Sequence, residues 1–342
     1  MTSARPIRVL VVDDSAFARK VLRESLSVSP ALEVVGIARD GLEALEKIAD
    51  LQPDVVTLDL VMPNLDGLGV LRALPPDHPS RVVIVSISDG NSELGIEALQ
   101  MGAVDLVQKP TALATDQLYE LSSELIAKVI AAGASVNRPM TEASPPCVVP
   151  SGPGLVRLVV IGTSTGGPQA LTRLLTALPG DLPCAVAVAL HIPVGYTEAL
   201  AHRLNESCAV RVFEAAEGAE LHPGSVAIAR GGLHLKVRAN GASLTTHIDV
   251  DPRSAPYCPS VDALFASAAE ALGPAAMGVI LTGMGSDGLE GARALRQAGG
   301  RTLTESESSC VVYGMPRAVA EAKLSAGVAP IQGMADAILR HL

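Results

Sequence analysis

The 342-residue chain has no tryptophan, three Phe and four Tyr. Ring-stacking platforms of the kind that hold single-stranded nucleic acid are therefore not expected. It also lacks a basic surplus: Lys plus Arg number 26 against 36 Asp plus Glu, a net charge of −10. That excludes a general binder of nucleic acid or of anionic membranes. No apolar run of about 18 residues occurs, and no charged-then-apolar segment opens the chain. A cytoplasmic chain with no direct membrane insertion is expected. The five cysteines (Cys147, Cys184, Cys208, Cys258 and Cys310) are odd in number and form no C-x-x-C pair. This spacing supports neither a disulfide framework, a zinc knuckle nor a redox motif, and buried inert thiols are expected.

What is present is a globular composition, 48 % hydrophobic and 18 % charged, with cores that must be built from Ala, Val, Leu and Ile. The charge is unevenly shared. Residues 1–127 carry ten Lys plus Arg and nineteen Asp plus Glu, a net of −9, while residues 128–342 carry sixteen and seventeen. Between the halves, Asn137 to Pro146 and Val148 to Gly154 are rich in Pro, Gly and Ser, a composition that resists ordering. Three segments follow: a domain over 1–127, a linker over 128–155 and a second domain over 156–342.

The first half alternates short apolar runs with amphipathic stretches. Strands are predicted at Ile7–Val12, Glu33–Ala38, Asp54–Leu58, Arg81–Val85 and Val104–Val107, with helices over Ser15–Leu26 and Gly41–Leu51. Continuous apolar strands separated by helices mean a parallel sheet covered on both faces, here a flavodoxin-like, doubly wound sheet of five strands. The second half repeats the alternation in a larger doubly wound α/β domain. Strands are predicted at Val156–Ile161, Cys184–Leu190, Val210–Phe213 and Ala276–Thr282, and helices begin near Pro168, Tyr196, Pro259 and Gly288. Leu233–Arg238 and Ala242–His247 form a small antiparallel hairpin around Ala239-Asn240-Gly241.

Ligands of such sheets sit at the carboxyl ends of the strands. Asp13 and Asp14 follow the first strand and Asp59 the third, so three carboxylates converge. They would repel one another without a cation, and hard oxygen donors with room for water suit Mg²⁺. Ser86 and Lys109 close the fourth and fifth strands, where a hydroxyl and an ammonium can hold phosphoryl oxygens. The segments Val11-Val12-Asp13-Asp14-Ser15, Leu58-Asp59-Leu60-Val61-Met62-Pro63, Ser86 and Lys109-Pro110 make residues 6–127 resemble the response-regulator receiver family. The resemblance implies phosphorylation of Asp59 by a histidine kinase, with Mg²⁺ held by Asp14, Asp59 and the loop after it, and assisted by Asp13. Receivers often carry an aromatic side chain on the fifth strand. Leu106 stands there, which shifts the switch onto the Ser86 hydroxyl.

In the second half, Gly162-Thr163-Ser164-Thr165-Gly166 follows an apolar strand and precedes Gly167-Pro168, where proline suits a first helical turn. This is G-x-S-x-G in a strand–turn–helix context, which lifts a serine hydroxyl above a sheet. A serine nucleophile needs a base and an orienting acid. Of seven histidines, His191 alone closes a buried apolar strand. His78 lies in the first domain, His341 near the last residue and His202 mid-helix, while His222, His234 and His247 fall in polar, hairpin-rich surroundings. Asp287 lies in Thr282-Gly283-Met284-Gly285-Ser286-Asp287-Gly288, although an Asp at a helix start would ordinarily cap that helix. Glycines there let backbone N–H groups approach an oxyanion, with Met284 the first choice and Thr165 the second.

These residues, with His191-Ile192-Pro193, Tyr257-Cys258-Pro259-Ser260-Val261-Asp262 and Tyr313-Gly314-Met315-Pro316-Arg317, make residues 156–342 resemble the chemotaxis protein-glutamate methylesterase (CheB) family. The resemblance implies hydrolysis of glutamate methyl esters on methyl-accepting chemoreceptors, releasing methanol, and in many members deamidation of receptor glutamines. The family's Ser-His-Asp triad falls on Ser164, His191 and Asp287, with no cofactor in this half. A chemotaxis histidine kinase and chemoreceptors are the implied partners of a monomeric protein, and phosphorylation of Asp59 is expected to release a restraint on Ser164. Two alternatives stand beside this reading: the same chemistry in a non-flagellar signalling array, and a non-enzymatic regulator whose second domain binds a partner.

Overall fold

The computed structural model describes residues 5–75, 78–86, 92–109, 115–135, 156–241, 243–251 and 255–342; within 115–135, side chains are described for 123–134. The chain divides into two compact units, Met1–Pro139 and Met140–Leu342.

The first unit runs β1 (Ile7–Val12), α1 (Ala16–Ser27), β2 (Leu32–Ala38), α2 (Gly41–Leu51), β3 (Val55–Leu58), α3 (Gly67–Ala73), β4 (Arg81–Ser86), α4 (Ser92–Gln100), β5 (Asp105–Gln108) and α5 (Thr115–Ser135). Its five strands pair in parallel in the order β2-β1-β3-β4-β5, the flavodoxin-like arrangement. Central strands such as β3, Val-Val-Thr-Leu, are buried throughout because helices cover both faces. Side chains of Ser15, Asp40 and Asp66 accept from the first-turn N–H groups of α1, α2 and α3, so these three strand-to-helix loops end on a cap.

Composition placed 128–135 in the linker, but these residues are the last turns of α5. Leu125, Val129 and Ala132 continue one apolar stripe and are fully buried. Lys128, also buried, donates to the Leu106 carbonyl at 2.7 Å and pairs with Asp105 at 3.1 Å. The remaining linker residues, 136–155, and Cys147 within them lie outside the described residues.

The second unit contains β6 (Leu158–Thr163), α6 (Gly167–Thr176), β7 (Ala185–Leu190), α7 (Thr197–Ser207), β8 (Arg211–Glu214), β9 (Ser225–Ile228), β10 (His234–Asn240), β11 (Ser243–Asp249), α8 (Val261–Leu272), β12 (Ala276–Ile280), α9 (Leu289–Gln297), β13 (Arg301–Glu305), α10 (Met315–Glu321), β14 (Ser325–Ala329) and α11 (Ile331–Leu339). Seven parallel strands are ordered β14-β13-β12-β6-β7-β9-β8. The chain enters at the middle strand β6, builds outward on one side, then returns to build the other from β12. The strand order therefore reverses at β6, the position where doubly wound sheets open a crevice. β10 and β11 form the separate antiparallel pair, registered from His234↔Asp249 to Asn240↔Ser243.

β9, Ser-Val-Ala-Ile, is apolar but only four residues long, and β13 and β14 interrupt their apolar residues with Thr, Ser and Gly, so none of the three is among the predicted strands. β13 buries Thr302 and Thr304, and the Thr304 hydroxyl is satisfied across the sheet by Ser325 at 2.8 Å. The cysteine expectation also needs one correction: Cys184 and Cys310 are buried, but Cys208 is half-buried and Cys258 is exposed. Burial pushes the Cys184 thiol up to about 12, which leaves it inert. Among the described residues no helix is long and apolar enough to cross a membrane.

Candidate active site

Three strand ends of the second sheet converge. The β6–β7 register ends at Thr163↔Leu190, and His191 N–H donates to the Thr163 carbonyl at 3.1 Å. Ser164 and His191 are therefore the next residues on neighbouring strands, which lie about 4.8 Å apart. On the other side, Ser164 N–H donates to the Thr282 carbonyl at 3.1 Å, which ties the serine to the loop leading out of β12.

Two glycines make this approach possible. A side chain on Gly283 would lie 2.9 Å from Ser164 Cβ and 2.3 Å from Met315 Sδ, so only glycine lets the Met284 loop lie against the serine. Gly166, which starts α6, has a φ of +78° and faces Val311. Thr165 is buried, and its carbonyl accepts from the Thr282 hydroxyl at 3.0 Å. Buried Glu305 at the end of β13 accepts from Thr282 N–H at 2.7 Å, anchoring the base of the same loop.

His191 Nε2 lies 2.8 Å from Asp287 Oδ2. Burial alone would raise the Asp287 pKa, but the hydrogen bond and charge of His191, with backbone donors from Asp262 and Val261, hold it below the ordinary value. An ionised Asp287 can only accept, so Nε2 carries a proton, and in the neutral imidazole Nδ1 is the nitrogen with the lone pair. Nδ1 is buried and has no hydrogen-bond partner. Such an orphaned acceptor is costly unless it is used. Tyr257 stacks on the imidazole with ring centroids 4.2 Å apart and planes 13° from parallel, fixing the ring's orientation.

Asp287 does not cap the helix it precedes. It accepts from Val261 N–H at 2.8 Å, Asp262 N–H at 2.9 Å and the Ser260 hydroxyl at 3.2 Å, at the start of α8. Ser260 is itself placed by buried His234, whose Nδ1 accepts from Ser260 N–H at 3.0 Å. Sequence reasoning quoted Tyr257, Ser260 and Asp262 within one motif but gave them no role, and it set His234 aside. The Ser260-Val261-Asp262 start ahead of the apolar stretch Ala263 to Ala266 signals a helix N-terminus, but not the partner of its N–H groups.

In the first unit, oxygens of Asp13, Asp14 and Asp59 lie within 4.8 Å of one another. Asp13 and Asp59 are buried, and Lys109 Nζ reaches each of them at 2.6 Å. Burial raises the Asp59 pKa despite Lys109, and the Asp13 charge adds to the rise. A hard divalent cation fits three converging carboxylates that share one ammonium. Ser86 Oγ at the end of β4 is buried without a partner, and Leu106 is buried on β5. Lys109 is thus brought to the carboxylates, while Pro110 lies outside the described residues.

Comparison with known proteins assigns a family to both units. Residues 159–338 match the family described as CheB methylesterase, and residues 9–121 match the response regulator receiver domain. The chain belongs to the CheB methylesterase family. It is 59 % identical, over the whole of both chains, to protein-glutamate methylesterase/protein-glutamine glutaminase 5 of Myxococcus xanthus (strain DK1622). It is 46 % identical to the protein-glutamate methylesterase/protein-glutamine glutaminase of Symbiobacterium thermophilum, over 98 % of this chain and 97 % of that one. The crystal structure of the Thermotoga maritima CheB methylesterase catalytic domain aligns with 54 % of this chain and 98 % of its own, at 36 % identity and a TM-score of 0.53.

Proposed function

We propose that the protein hydrolyses glutamate 5-methyl esters on chemoreceptors, and deamidates receptor glutamines, under control of Asp59 phosphorylation. Ser164 Oγ attacks the ester carbonyl and gives its proton to His191 Nδ1, while Asp287 holds Nε2–H and stabilises the imidazolium. The N–H groups of Met284 and Thr165 receive the oxyanion, each contributing about 2.7–4 kcal/mol to the transition state. Collapse expels methanol with the proton returned by His191, or ammonia from an amide. Water then cleaves the acyl-enzyme by the same route. What supports this reading is the 2.8 Å His191–Asp287 hydrogen bond with Nδ1 left buried and unpartnered beside the Ser164 strand end. A purely partner-binding second domain would have no use for that costly arrangement.

In the receiver, Asp13, Asp14 and Asp59 would hold Mg²⁺, which when bound offsets the charge of the phosphoryl oxygens. Asp59 accepts the phosphoryl group from a histidine kinase, and Lys109 and Ser86 contact its oxygens. The protein works as a cytoplasmic monomer. Methanol release from methylated receptor fragments, with and without a small phosphodonor plus Mg²⁺, tests both halves together. Stimulated release that vanishes in Ser164→Ala is the expected result. Release that ignores the phosphodonor overturns the regulation, and no release overturns the esterase.

A further inference from the structure

Behind the reactive side chains lies a second carboxylate with no assigned part in the reaction. Asp262, in the first turn of α8, directs Oδ1 at Gly288 N–H (2.9 Å) and Gly291 N–H (2.7 Å) at the start of α9. Asp287, one residue before Gly288, accepts from the first N–H groups of α8, including that of Asp262 itself at 2.9 Å. The arrangement is reciprocal: each helix start holds the carboxylate carried by the other. Gly288 sits at the N-cap position of α9 with no side chain to offer, so Asp262 supplies that cap from the neighbouring helix. The approach is tight, since a side chain on Gly291 would lie 3.1 Å from Asp262 Cα and 2.5 Å from Phe265 Cβ.

We propose that Asp262 is a positioning residue for ester hydrolysis, fixing Asp287 against His191 through this two-helix clamp. The inference rests on the Ser164–His191–Asp287 reading above. The physical argument is geometric. Asp287 Oδ2 must face Nε2 while its other oxygen is held by Asp262 N–H and the Ser260 hydroxyl. Its backbone is set on the following side by the Gly288 N–H that Asp262 binds. Removing the Asp262 carboxylate frees that backbone and releases two helix N–H groups, and a misplacement of about 1 Å in a catalytic constellation can cost about 10²-fold in rate.

The test compares Asp262→Ala with Asp262→Asn in the full-length protein. Asparagine keeps an oxygen for both N–H groups, whereas alanine removes it. Methanol release from a peptide carrying glutamate 5-methyl ester gives kcat and KM, and labelling by a fluorophosphonate counts competent serines. Expected are a kcat per labelled site lowered about 10- to 100-fold in Asp262→Ala with KM within about twofold, and recovery to within about threefold in Asp262→Asn. Should the alanine variant fail to fold, Asp262→Ser, whose shorter arm cannot span both groups, takes its place in the comparison. Equal impairment of the asparagine and truncated variants, or an unimpaired truncated variant, overturns the clamp. Failure of the wild-type protein to label or to release methanol instead overturns the serine reading, and the clamp falls with it.

Discussion

The chain uses one architectural idea twice and manages charge in opposite ways. Both units are built on parallel sheets whose candidate site residues stand at the carboxyl ends of the strands. In the first, three carboxylates crowd together against a single lysine, so the site is short of positive charge. In the second, one buried carboxylate is surrounded by donors: two helix N–H groups, a hydroxyl and an imidazole. On the proposed reading the first arrangement answers to a ligand, whereas in the second the donors around Asp287 are already in place, as stabilisation of charge without reorganisation requires. Strand-end geometry alone therefore does not decide function; the electrostatic state of the end does.

The sharpest way to break this contrast is at the second sheet. Ser164→Ala should lower methanol release by at least about 10³-fold, because the remaining oxyanion donors and binding groups cannot replace a nucleophile. Residual turnover near wild type, measured on the same methylated fragments, would mean that the prearranged site is not the reacting one. The first sheet is tested by Asp59→Asn. The basal rate should stay within about twofold, while stimulation by phosphodonor plus Mg²⁺ disappears. A tenfold stimulation needs a shift of only about 1.4 kcal/mol in the restraining equilibrium. Stimulation that survives in Asp59→Asn would remove the ligand-dependent half of the comparison.

A third and smaller effect concerns the ring that holds His191. Tyr257→Leu should cost about 2- to 10-fold in kcat, in line with the roughly 0.5–1.5 kcal/mol of a stacked aromatic pair. Tyr257→Phe, which keeps the stack, should stay within about twofold. An unchanged leucine variant would show that Asp287 alone orients the imidazole.

Much of this was legible in the residues. Apolar runs such as Val9 to Val12, Leu158 to Ile161 and Ala185 to Leu190, bounded by turn residues, read as buried parallel strands, and their ends mark Asp13, the Gly-rich turn at Ser164 and His191. Strands β13 and β14 were not legible, because Thr302, Thr304 and Ser325 are polar by composition, yet Thr302 and Thr304 are buried and the Thr304 hydroxyl is satisfied by Ser325 on the neighbouring strand. The last turns of α5 were hidden by the Pro-rich stretch that follows them, although Val129 and Ala132 continue its apolar stripe. The supports of Asp287 were invisible for a different reason. Asp262 and His234 act through backbone groups 26 residues away in sequence, and no local spacing announces such a partnership.

Holding two carboxylates side by side at the second sheet has an electrostatic cost, and its effect is the smallest of those expected. Burial pushes the Asp262 carboxyl up from its ordinary 3.8 to about 6, and the neighbouring Asp287 charge adds to the rise. A carboxyl whose pKa is raised on folding binds its proton more tightly in the folded state. Its contribution to stability is therefore full below its ordinary value, and is lost as pH rises towards about 6 and the buried group must ionise. Asp262→Asn keeps the acceptor but removes the ionisation. Relative to wild type, it should unfold at a progressively higher denaturant concentration as pH goes from 4 to 7, the gain levelling off above about 6. Parallel unfolding midpoints of the two proteins across that range isolate this one group, since every other carboxyl is common to both. A difference that does not change with pH would mean that Asp262 is ionised in the folded protein throughout, and that two neighbouring negative charges are tolerated even at the prearranged site. That outcome would bring the electrostatics of the second sheet close to those of the first, and the contrast between them would rest on hydrogen-bond donors alone.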